Sequence, residues 1–411
     1  MLIVIADDLT GAAELGGIAV RHGLDSLVLR KVADSQGPAT VICFDTDTRN
    51  HPPPEAAAHV AEVTRHLRNA GAARFYKKVD SVLRGPVLAE LEAIRRTLEL
   101  PRVLLLPANP SRGRIIRDGQ YWLHDVPLHH SEFARDPEHP RKTSDVLALL
   151  GTQPGVRVTL VKGSDPLPPE GVILAEAASE ADVKHWAARW QPDTLAAGGA
   201  DFFDALLQRW STELQPGQRQ RNTIVLSAAE PHAHAPQAGQ PARNTLLLVS
   251  GTASPMAAAR IRELSQAGTI VLSLSKNRAL RRSTDGAEEI RQLDLCATAL
   301  HEHGRAVLCL GRPRTKKASK TAASRLQSLA ALAAGVLQRC APDRILVEGG
   351  ATAARLVEQL GWSRLHVVRE WAPGVVELTA EHSAKPALII KPGSYPWPDP
   401  LLPKSHGCQR E

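Results

Sequence analysis

Two aspartates stand together in the segment ADDLTGA, where Asp7 and Asp8 follow the apolar run LIVIA. Adjacent carboxylates in a strand-to-helix turn are costly unless they hold a cation, a hydroxyl donor or a basic group. Their chemistry would be to accept hydrogen bonds from hydroxyl groups of a ligand, or to act as a base. The plainer alternative is that one of them, with Thr10, caps the helix that follows. A second cluster, KKVDSVLRG at residues 77–85, sets Lys77, Lys78 and Arg84 around Asp80 and Ser81. An arginine fork grips a carboxylate through two parallel bonds and a lysine adds a point charge, so this is an anion pocket or else a loop of surface ion pairs. Gly85 and Pro86 open the next helix and leave backbone donors facing that cluster. Arg49, in DTDTR, is a third candidate for a carboxylate, and Asn109 and Arg112, in PANPSRGR, sit where a strand-end binding loop belongs.

Three further loops are built from small residues. SGTASP at 250–255 includes Ser254; EGGATA at 348–353 includes Gly349, Gly350, Ala351 and Thr352; KPGSYPWP at 391–398 includes Gly393. Such loops let backbone amides approach and cradle phosphate, although ordinary strand-to-helix turns have the same shape. Three of them in one half of the chain suggest a nucleotide polyphosphate site. The chain has no GxxxxGK[ST] segment, no protein-kinase signature set and no GxGxxG after a strand, which excludes P-loop, protein-kinase-like and dinucleotide-binding enzymes.

These residues need strands that end beneath them. Short β-branched runs at 2–6, 26–30, 40–44, 73–77 and 103–106 alternate with amphipathic stretches at 11–22, 55–70 and 86–99, and the pattern continues weakly through 157–161, 171–175, 194–197 and 223–227. A second alternation begins at 245, with strands at 246–250, 269–274, 307–310, 345–349, 374–378 and 387–390 and helices at 254–267, 285–303, 322–340 and 351–360. Strand–helix alternation implies α/β architecture: two α/β domains, each a mostly parallel sheet flanked by helices, with sites at the carboxyl ends of the strands and a ligand cleft between them. The expected division is a first domain over 1–228, a linker over 229–244 rich in Ala, Pro and Gln, and a second domain over 245–411. The polar stretch that follows residue 123, dense in His, Arg, Glu and Asp, reads as a long irregular loop, a lid over the ligand.

Bulk composition is that of a globular protein: 411 residues, 43% hydrophobic and 23% charged. No apolar run reaches the ~18 residues of a membrane span, and the opening MLIVIADDLT reads as a buried strand, not a signal peptide, so the cytoplasm is the expected location. Five scattered cysteines argue against a disulfide framework and structural zinc, and Cys43 and Cys309 read as core residues in strands. The histidines at 124, 129 and 130 match no zinc spacing, and His232 and His234 fall in the linker, so no metal ligand is assigned. The net charge of +7 fits small phosphate and carboxylate ligands; with aromatics at only 4% and a single dense basic run from Arg312 to Lys320, nucleic acid is not the expected partner, nor is a membrane. A homodimer is the base-rate expectation.

In their order along the chain, ADDLTGA, KKVDSVLRG, the 107–145 stretch, SGTASP, EGGATA and KPGSYPWP resemble the four-carbon acid sugar kinase family over nearly the whole sequence. The resemblance implies an N-terminal acid-sugar-binding domain, a C-terminal ATP-binding domain, and ATP- and Mg2+-dependent phosphorylation of threonate, erythronate or a 3-oxo-tetronate. Carried over by motif, Asp8, Arg49, Lys77, Lys78, Asp80, Ser81 and Arg84 would serve the acid, with Asp8 and Asp80 catalytic. Ser254, Gly349, Gly350, Ala351, Thr352 and Gly393 would serve the nucleotide. Two departures stand out: where the family often reads TGGDT or TGGET this chain has EGGAT, and KPGSYPWP replaces the frequent KSGNFG. The alternatives are a non-catalytic sensor of sugar acids and nucleotide, or a kinase of a different small hydroxy acid.

Overall fold

The computed structural model describes residues 1–34, 39–136, 138–213, 245–252, 254–274, 286–311, 319–381, 386–393 and 395–402. The chain divides into two units, Met1–Leu214 and Gln215–Glu411. The expected strand at 223–227, the linker at 229–244 and the basic residues at 312–317 lie outside the described residues.

The first unit runs β1 (Leu2–Ala6), α1 (Leu9–Arg21), β2 (Ser26–Leu29), β3 (Val41–Asp45), α2 (Pro53–Asn69), β4 (Arg74–Lys78), α3 (Val87–Thr97) and β5 (Arg102–Leu106). It continues with β6 (Arg114–Arg117), β7 (Gln120–Leu123), β8 (Val126–Pro127), α4 (Val146–Leu150), β9 (Val158–Val161), β10 (Gly171–Ala175), α5 (Glu180–Arg189), β11 (Thr194–Gly198) and α6 (Ala200–Glu213). Its main sheet is parallel throughout, in the order β2-β3-β1-β4-β11-β5-β10-β9. A parallel sheet must be covered on both faces, so its strands read as continuous apolar runs. LIVIA of β1 is buried at every residue, as is VICFD of β3. α1, α5 and α6 pack together, and α2 packs on α3. The chain places β3 and β4 on either side of β1, so the loops after these three neighbouring strands converge at a switch point of the sheet.

Just ahead of the stretch expected to be an irregular loop, and running into its start, a separate antiparallel sheet, β6-β7-β8, is formed where a strand-end binding loop was expected. Its first turn is Asp118-Gly119 with φ of 53° and 73°, and its second is His124-Asp125 with φ of 48° and 62°. Two-residue turns with both φ positive match the twist of a hairpin, and Asp-Gly is a preferred pair for them. RIIR and QYWL do not read as strands in the sequence because they are short and half polar. Beyond β8, short 3-10 turns at Leu128–His130 and Glu132–Arg135 lead into the α4 helix.

The second unit holds β12 (Leu246–Ser250), α7 (Pro255–Gln266), β13 (Ile270–Ser273), α8 (Gly286–His303), β14 (Arg305–Cys309), α9 (Ser319–Arg339), β15 (Arg344–Glu348), α10 (Gly350–Gln359), β16 (Arg364–Ala372), β17 (Val375–Ala380) and β18 (Ala387–Lys391). β13-β14-β12-β15-β18 are parallel, and β17 and β16 continue the sheet antiparallel. Leu248, Val307, Leu346 and Ile389 from four of these strands share one buried core with Leu264 of α7. Cys43 and Cys309 are buried in β3 and β14, and burial pushes the Cys43 thiol up to about 12.

β11 closes against β5 with no side chain between them. A Cβ at Gly198 would collide with the carbonyl oxygen of Leu106 and stand 3.1 Å from the Tyr76 hydroxyl. Backbone cannot yield there as a side-chain tip can. Gly198→Ala is therefore expected to cost about 3 kcal/mol, read as a lower urea midpoint at unchanged slope; a midpoint within a few tenths molar of the parent would refute the contact.

Candidate functional site

Asp7 and Asp8 leave the carboxyl end of β1, as expected. Asp8 is the N-cap of α1: its Oδ1 accepts from the Gly11 amide at 2.8 Å and its Oδ2 from the Thr10 hydroxyl at 2.6 Å. Gly11 has to be small here, because a Cβ would lie 2.7 Å from Asp8 Oδ1 and 3.3 Å from Cγ of Lys78. Arg49, from the loop after β3, spans both acids. Its Nε and Nη2 donate to the two oxygens of Asp7 at 2.7 and 2.9 Å, and its Nη1 donates to Asp8 Oδ2 at 2.8 Å. Burial pushes the Asp8 carboxyl up, but Arg49, Lys78 and its two hydrogen bonds outweigh this and hold it below the usual carboxylate range. Asp8 is thus ionised at neutral pH and, of the two acids, the one with more exposure: 17% of its side chain against 3% for Asp7.

The loop after β4 carries the second group. Arg84 closes its fork on Asp80, Nε to Oδ2 at 3.0 Å and Nη2 to Oδ1 at 2.7 Å, and its Nη1 donates to Asp136 at 2.9 Å. Asp80 also accepts from the amides of Val82 and Arg84, both at 3.1 Å. Leu83 and Gly85 adopt φ of 60° and 89°, and a Cβ on Gly85 would stand 3.0 Å from the Arg49 carbonyl. The loop is thereby wound tightly against Arg49, whose Nη2 lies 3.9 Å from Asp80. Ser81 accepts from Nη1 of Arg114, on β6. Phe133 lies under both guanidinium groups, 5.5 Å from that of Arg84 and 5.6 Å from that of Arg114.

Several expected ligands are placed differently from one another. Lys77 and Lys78 are neighbours on β4 and point to opposite faces. Lys78 stays at the site, 3.5 Å from Glu14 of α1 and bonded to the Val79 carbonyl at 3.0 Å. Lys77 does not line the pocket expected of it: its side chain is fully buried, with Nζ 2.8 Å from Glu90 of α3 in an ion-pair contact off the hydrogen-bonding axis. Glu90 also accepts from Thr48. Asn109 turns its side-chain oxygen to the Asp201 amide at the start of α6, at 2.9 Å, and Gly199 leaves it room. Arg112 lies on the 3-10 turn Pro110–Arg112, where its charge acts on Asp201. The arginines expected to be open for an acid, Arg49 and Arg84, each have all three guanidinium nitrogens bonded to aspartates, with the two-pronged Nε–Nη2 edge closed. Asp136, Arg114, Glu14 and Glu90 were not singled out in the sequence, since no local pattern ties them to their partners.

In the second unit the small-residue loops do cluster. Ser250, Glu348 and Lys391 are the last residues of three neighbouring parallel strands and lie in register, one beside the next. Glu348 accepts from Ser250 Oγ at 2.8 Å and from Lys391 Nζ at 2.5 Å, and the ammonium sits 5.0 Å from the Trp397 ring. Burial pulls Lys391 below the usual lysine range, and Glu348 opposes this. Above this row the backbones meet closely. A Cβ on Gly251 would strike the Thr352 hydroxyl, and one on Gly393 would lie 2.7 Å from that of Thr252. Gly349 takes φ of 102° and caps α10 without any side-chain bond, so the amides of Gly350, Ala351 and Thr352 open the helix. Ala351 is exposed and Thr352 buried. Ser254 spends its hydroxyl on capping α7 through the Ala257 amide at 3.1 Å. Glu348 does not stand in for an acid after the glycines, because it is sealed beneath them.

Both groups make measurable claims. Asp80→Asn takes from Arg84 the carboxylate that its fork grips, leaving Asp136 on its other nitrogen, and is expected to cost about 3 kcal/mol at pH 7. Despite burial, Arg84 and Arg49 hold the Asp80 carboxyl well below its ordinary value, so its contribution is full above the unfolded value near ~3.9 and is lost as pH falls through the folded one. The melting-temperature gap between parent and variant should stay constant from pH 7 to 5 and narrow below about pH 4; a gap that widens on acidification would reverse the assignment. Lys391→Met alone strands the buried Glu348 and should cost about 3–5 kcal/mol, whereas Lys391→Met with Glu348→Gln should recover most of it. Urea denaturation of the two variants distinguishes a paired row from independent contacts, for which the losses would add.

Residues 2–206 match the family described as a sugar-binding N-terminal domain, and residues 247–395 the family described as a nucleotide-binding C-terminal domain. The chain is 30% identical to a D-threonate kinase of Salmonella typhimurium over 55% of its own length and 57% of that protein's. It is 29% identical to a D-erythronate kinase of Heliobacterium modesticaldum, over 48% and 47%. It thus spans about half the length of these curated relatives. Similarity to a 3-oxo-tetronate kinase of Cupriavidus necator is lower, 27%, but covers 97% of this chain and 95% of that one. Among solved structures, one from Salmonella typhimurium LT2 matches with a TM-score of 0.75 at 18% identity and covers 96% of each chain. One from Haemophilus influenzae matches with a TM-score of 0.68 at 20% identity, covering 97% of this chain and 98% of that one, and the two likenesses establish the fold. With its sugar-binding and nucleotide-binding domains matched in that order, the chain belongs to the four-carbon acid sugar kinase family.

Proposed function

We propose that this protein is an ATP-dependent kinase that phosphorylates a hydroxyl group of a four-carbon acid sugar of the threonate, erythronate or 3-oxo-tetronate type. The observation that carries the reading is the co-occurrence in one chain of a sugar-binding and a nucleotide-binding domain. Relatives named as kinases of these acids support it. Asp8 is the residue aimed at the reacting hydroxyl. Its Oδ1 accepts one bond, from Gly11, and keeps a second acceptor position for a substrate hydroxyl. A carboxylate held below the usual range is a weak base but a steady acceptor, which suits phosphoryl transfer: in a loose transition state the attacking oxygen needs aiming more than early deprotonation. As the new O–P bond forms, the bond from the γ-phosphorus to the oxygen bridging it to the β-phosphate breaks and ADP leaves, while the hydroxyl proton passes to Asp8 and from there to solvent. Asp80 is a positioning residue here, since both its oxygens hold Arg84.

On the nucleotide side, the amides of Gly350, Ala351 and Thr352 at the α10 N-terminus would meet the phosphates, with Gly349 and Gly393 keeping the approach clear. The glycines at 251 and 393 let the loops close on one another, since a Cβ there would meet the hydroxyls of Thr352 and Thr252; what favours a phosphate is the α10 N-terminus, whose amides no side chain caps. Magnesium, implied by the family, finds a poorer fit. Of the described parallel strand ends in the second unit only Glu348 offers a carboxylate, already bonded to Ser250 and Lys391, and Ala351 offers none. No group of three or more His, Cys, Asp or Glu side chains able to hold a metal ion occurs among the described residues. The described side chains do not fit a protein-ligated Mg2+, and the chain's own part in transfer rests on its charges and amides. No helix among the described residues is long and apolar enough to cross a membrane.

A second reading, a sensor of sugar acids and nucleotide, draws on the missing acid at Ala351. ATP consumption measured with D- and L-threonate, D- and L-erythronate, their 3-oxo forms and a four-carbon sugar alcohol separates the two. Turnover confined to one or two acids is expected, and Asp8→Asn is expected to lower kcat by about 100-fold or more in protein that is still folded at the assay temperature, although losing a charge beside Arg49 also lowers the melting temperature. Binding of an acid and of ATP without turnover would favour the sensor.

A further inference from the structure

The site gathers more cations than it opens to a ligand. Arg49 is spread over Asp7 and Asp8, Arg84 over Asp80 and Asp136, and Lys78 lies against Glu14. A substrate carboxylate approaching either of the two arginine forks would have to displace an aspartate. Arg141 differs. It follows the Phe133 turn, to which its amide is bonded at 2.9 Å through the Phe133 carbonyl. Its Nε donates to the His139 carbonyl at 3.0 Å and its Nη1 to the Leu83 carbonyl at 3.2 Å. Both partners are neutral, its Nη2 donates to no described protein group, and no described carboxylate lies within ion-pair distance of it. It is half-buried, and Leu83 places it on the wound loop that carries Asp80 and Arg84. Its charge interacts with Asp80, Arg84 and Asp136, yet burial dominates and draws it below the usual arginine range, as expected of a cation short of a counter-charge.

We infer that Arg141 is the anchor for the substrate carboxylate: its free guanidinium edge takes the acid while its other edge stays fixed to the Leu83 and His139 carbonyls. This rests on the proposed acid-sugar kinase activity and makes Arg141 the residue that separates a sugar acid from its neutral counterpart. Nothing in the local sequence, HPRKTSD, marks it out.

The test compares each accepted four-carbon acid with its carboxamide, of the same shape without the charge. In the parent the acid should be strongly preferred. Arg141→Gln should raise KM for the acid on the order of 10–100-fold, the cost of a lost charge-assisted bond, leave KM for the carboxamide and for ATP within about twofold, and so erase the preference. Arg141→Lys, which keeps the charge but not the fork, should fall between. If the acid and carboxamide suffer equally, or neither does, Arg141 only braces the loop and the inference is overturned. Should Arg141→Gln fail to fold, the same ratio measured for Arg141→Lys decides. A parent that turns over no acid at all overturns the proposed activity and this inference together, and is told apart by the parent's own assay.

Discussion

A pair of aspartates at the mouth of a buried strand is tolerable only if something positive lies across both, and Arg49 does. One planar group, reaching in from the loop after the neighbouring strand, satisfies Asp7 with two bonds and Asp8 with one. The loop after β4 is then fitted round that arginine, with Gly85 against its backbone and Asp80 within 3.9 Å of its tip. Asp80 in turn fixes Arg84, and Arg84 fixes Asp136 in the stretch beyond the small sheet. The charges at this strand end form one chain of dependence, in which each ion is in place because the preceding one is. Buried ion networks seldom add net stability, but they specify geometry well when every member is paired.

The two units use different chemistry at equivalent places. In the first, side chains with full charges crowd the strand ends. In the second, the charges are withdrawn below the surface, as Glu348 and Lys391 neutralise each other, and the surface is left to amides and a helix N-terminus. Charged side chains in fixed array suit a small, hydroxyl-rich acid that must be held in one orientation. Bare amides suit a polyphosphate, whose negative charge the helix end favours and whose bulk leaves no room for side chains.

Most strands were legible because a parallel sheet covered on both faces writes itself as unbroken apolar runs, and the site loops were legible because they begin where those runs stop. The small sheet was not, though Asp118-Gly119 is a hairpin signal in plain view: its strands are too short and polar to register as strands first. α5 carried the matching N-terminal signal, Ser179 and Asp182 bonding each other's backbone amides, yet lay in a region whose alternation is weak. The site's residue types were legible and its wiring was not. Asp136 is 52 residues from Arg84, and Asp7 is 42 from Arg49; nothing local says which acid will close on which arginine. Arg141 is not legible for the same reason in reverse, since what distinguishes it is that no described carboxylate lies within ion-pair distance.

The adjacent lysines of β4 have a consequence of another kind. A strand buried on both faces has no apolar alternation to say which residue sits beside which, so hydrophobicity alone leaves its register loosely specified. Lys77 and Lys78 supply the missing information. One must find Glu90 in the layer of α2 and α3, the other Glu14 in the layer of α1. A slip of β4 by a single residue would exchange their faces and bury both ammonium groups away from their acids. The dipeptide therefore works as a two-sided key: misaligned pairings that would satisfy the greasy interior equally well are rejected on charge, and the strand is admitted only in the register that also brings Asp80 to Arg49.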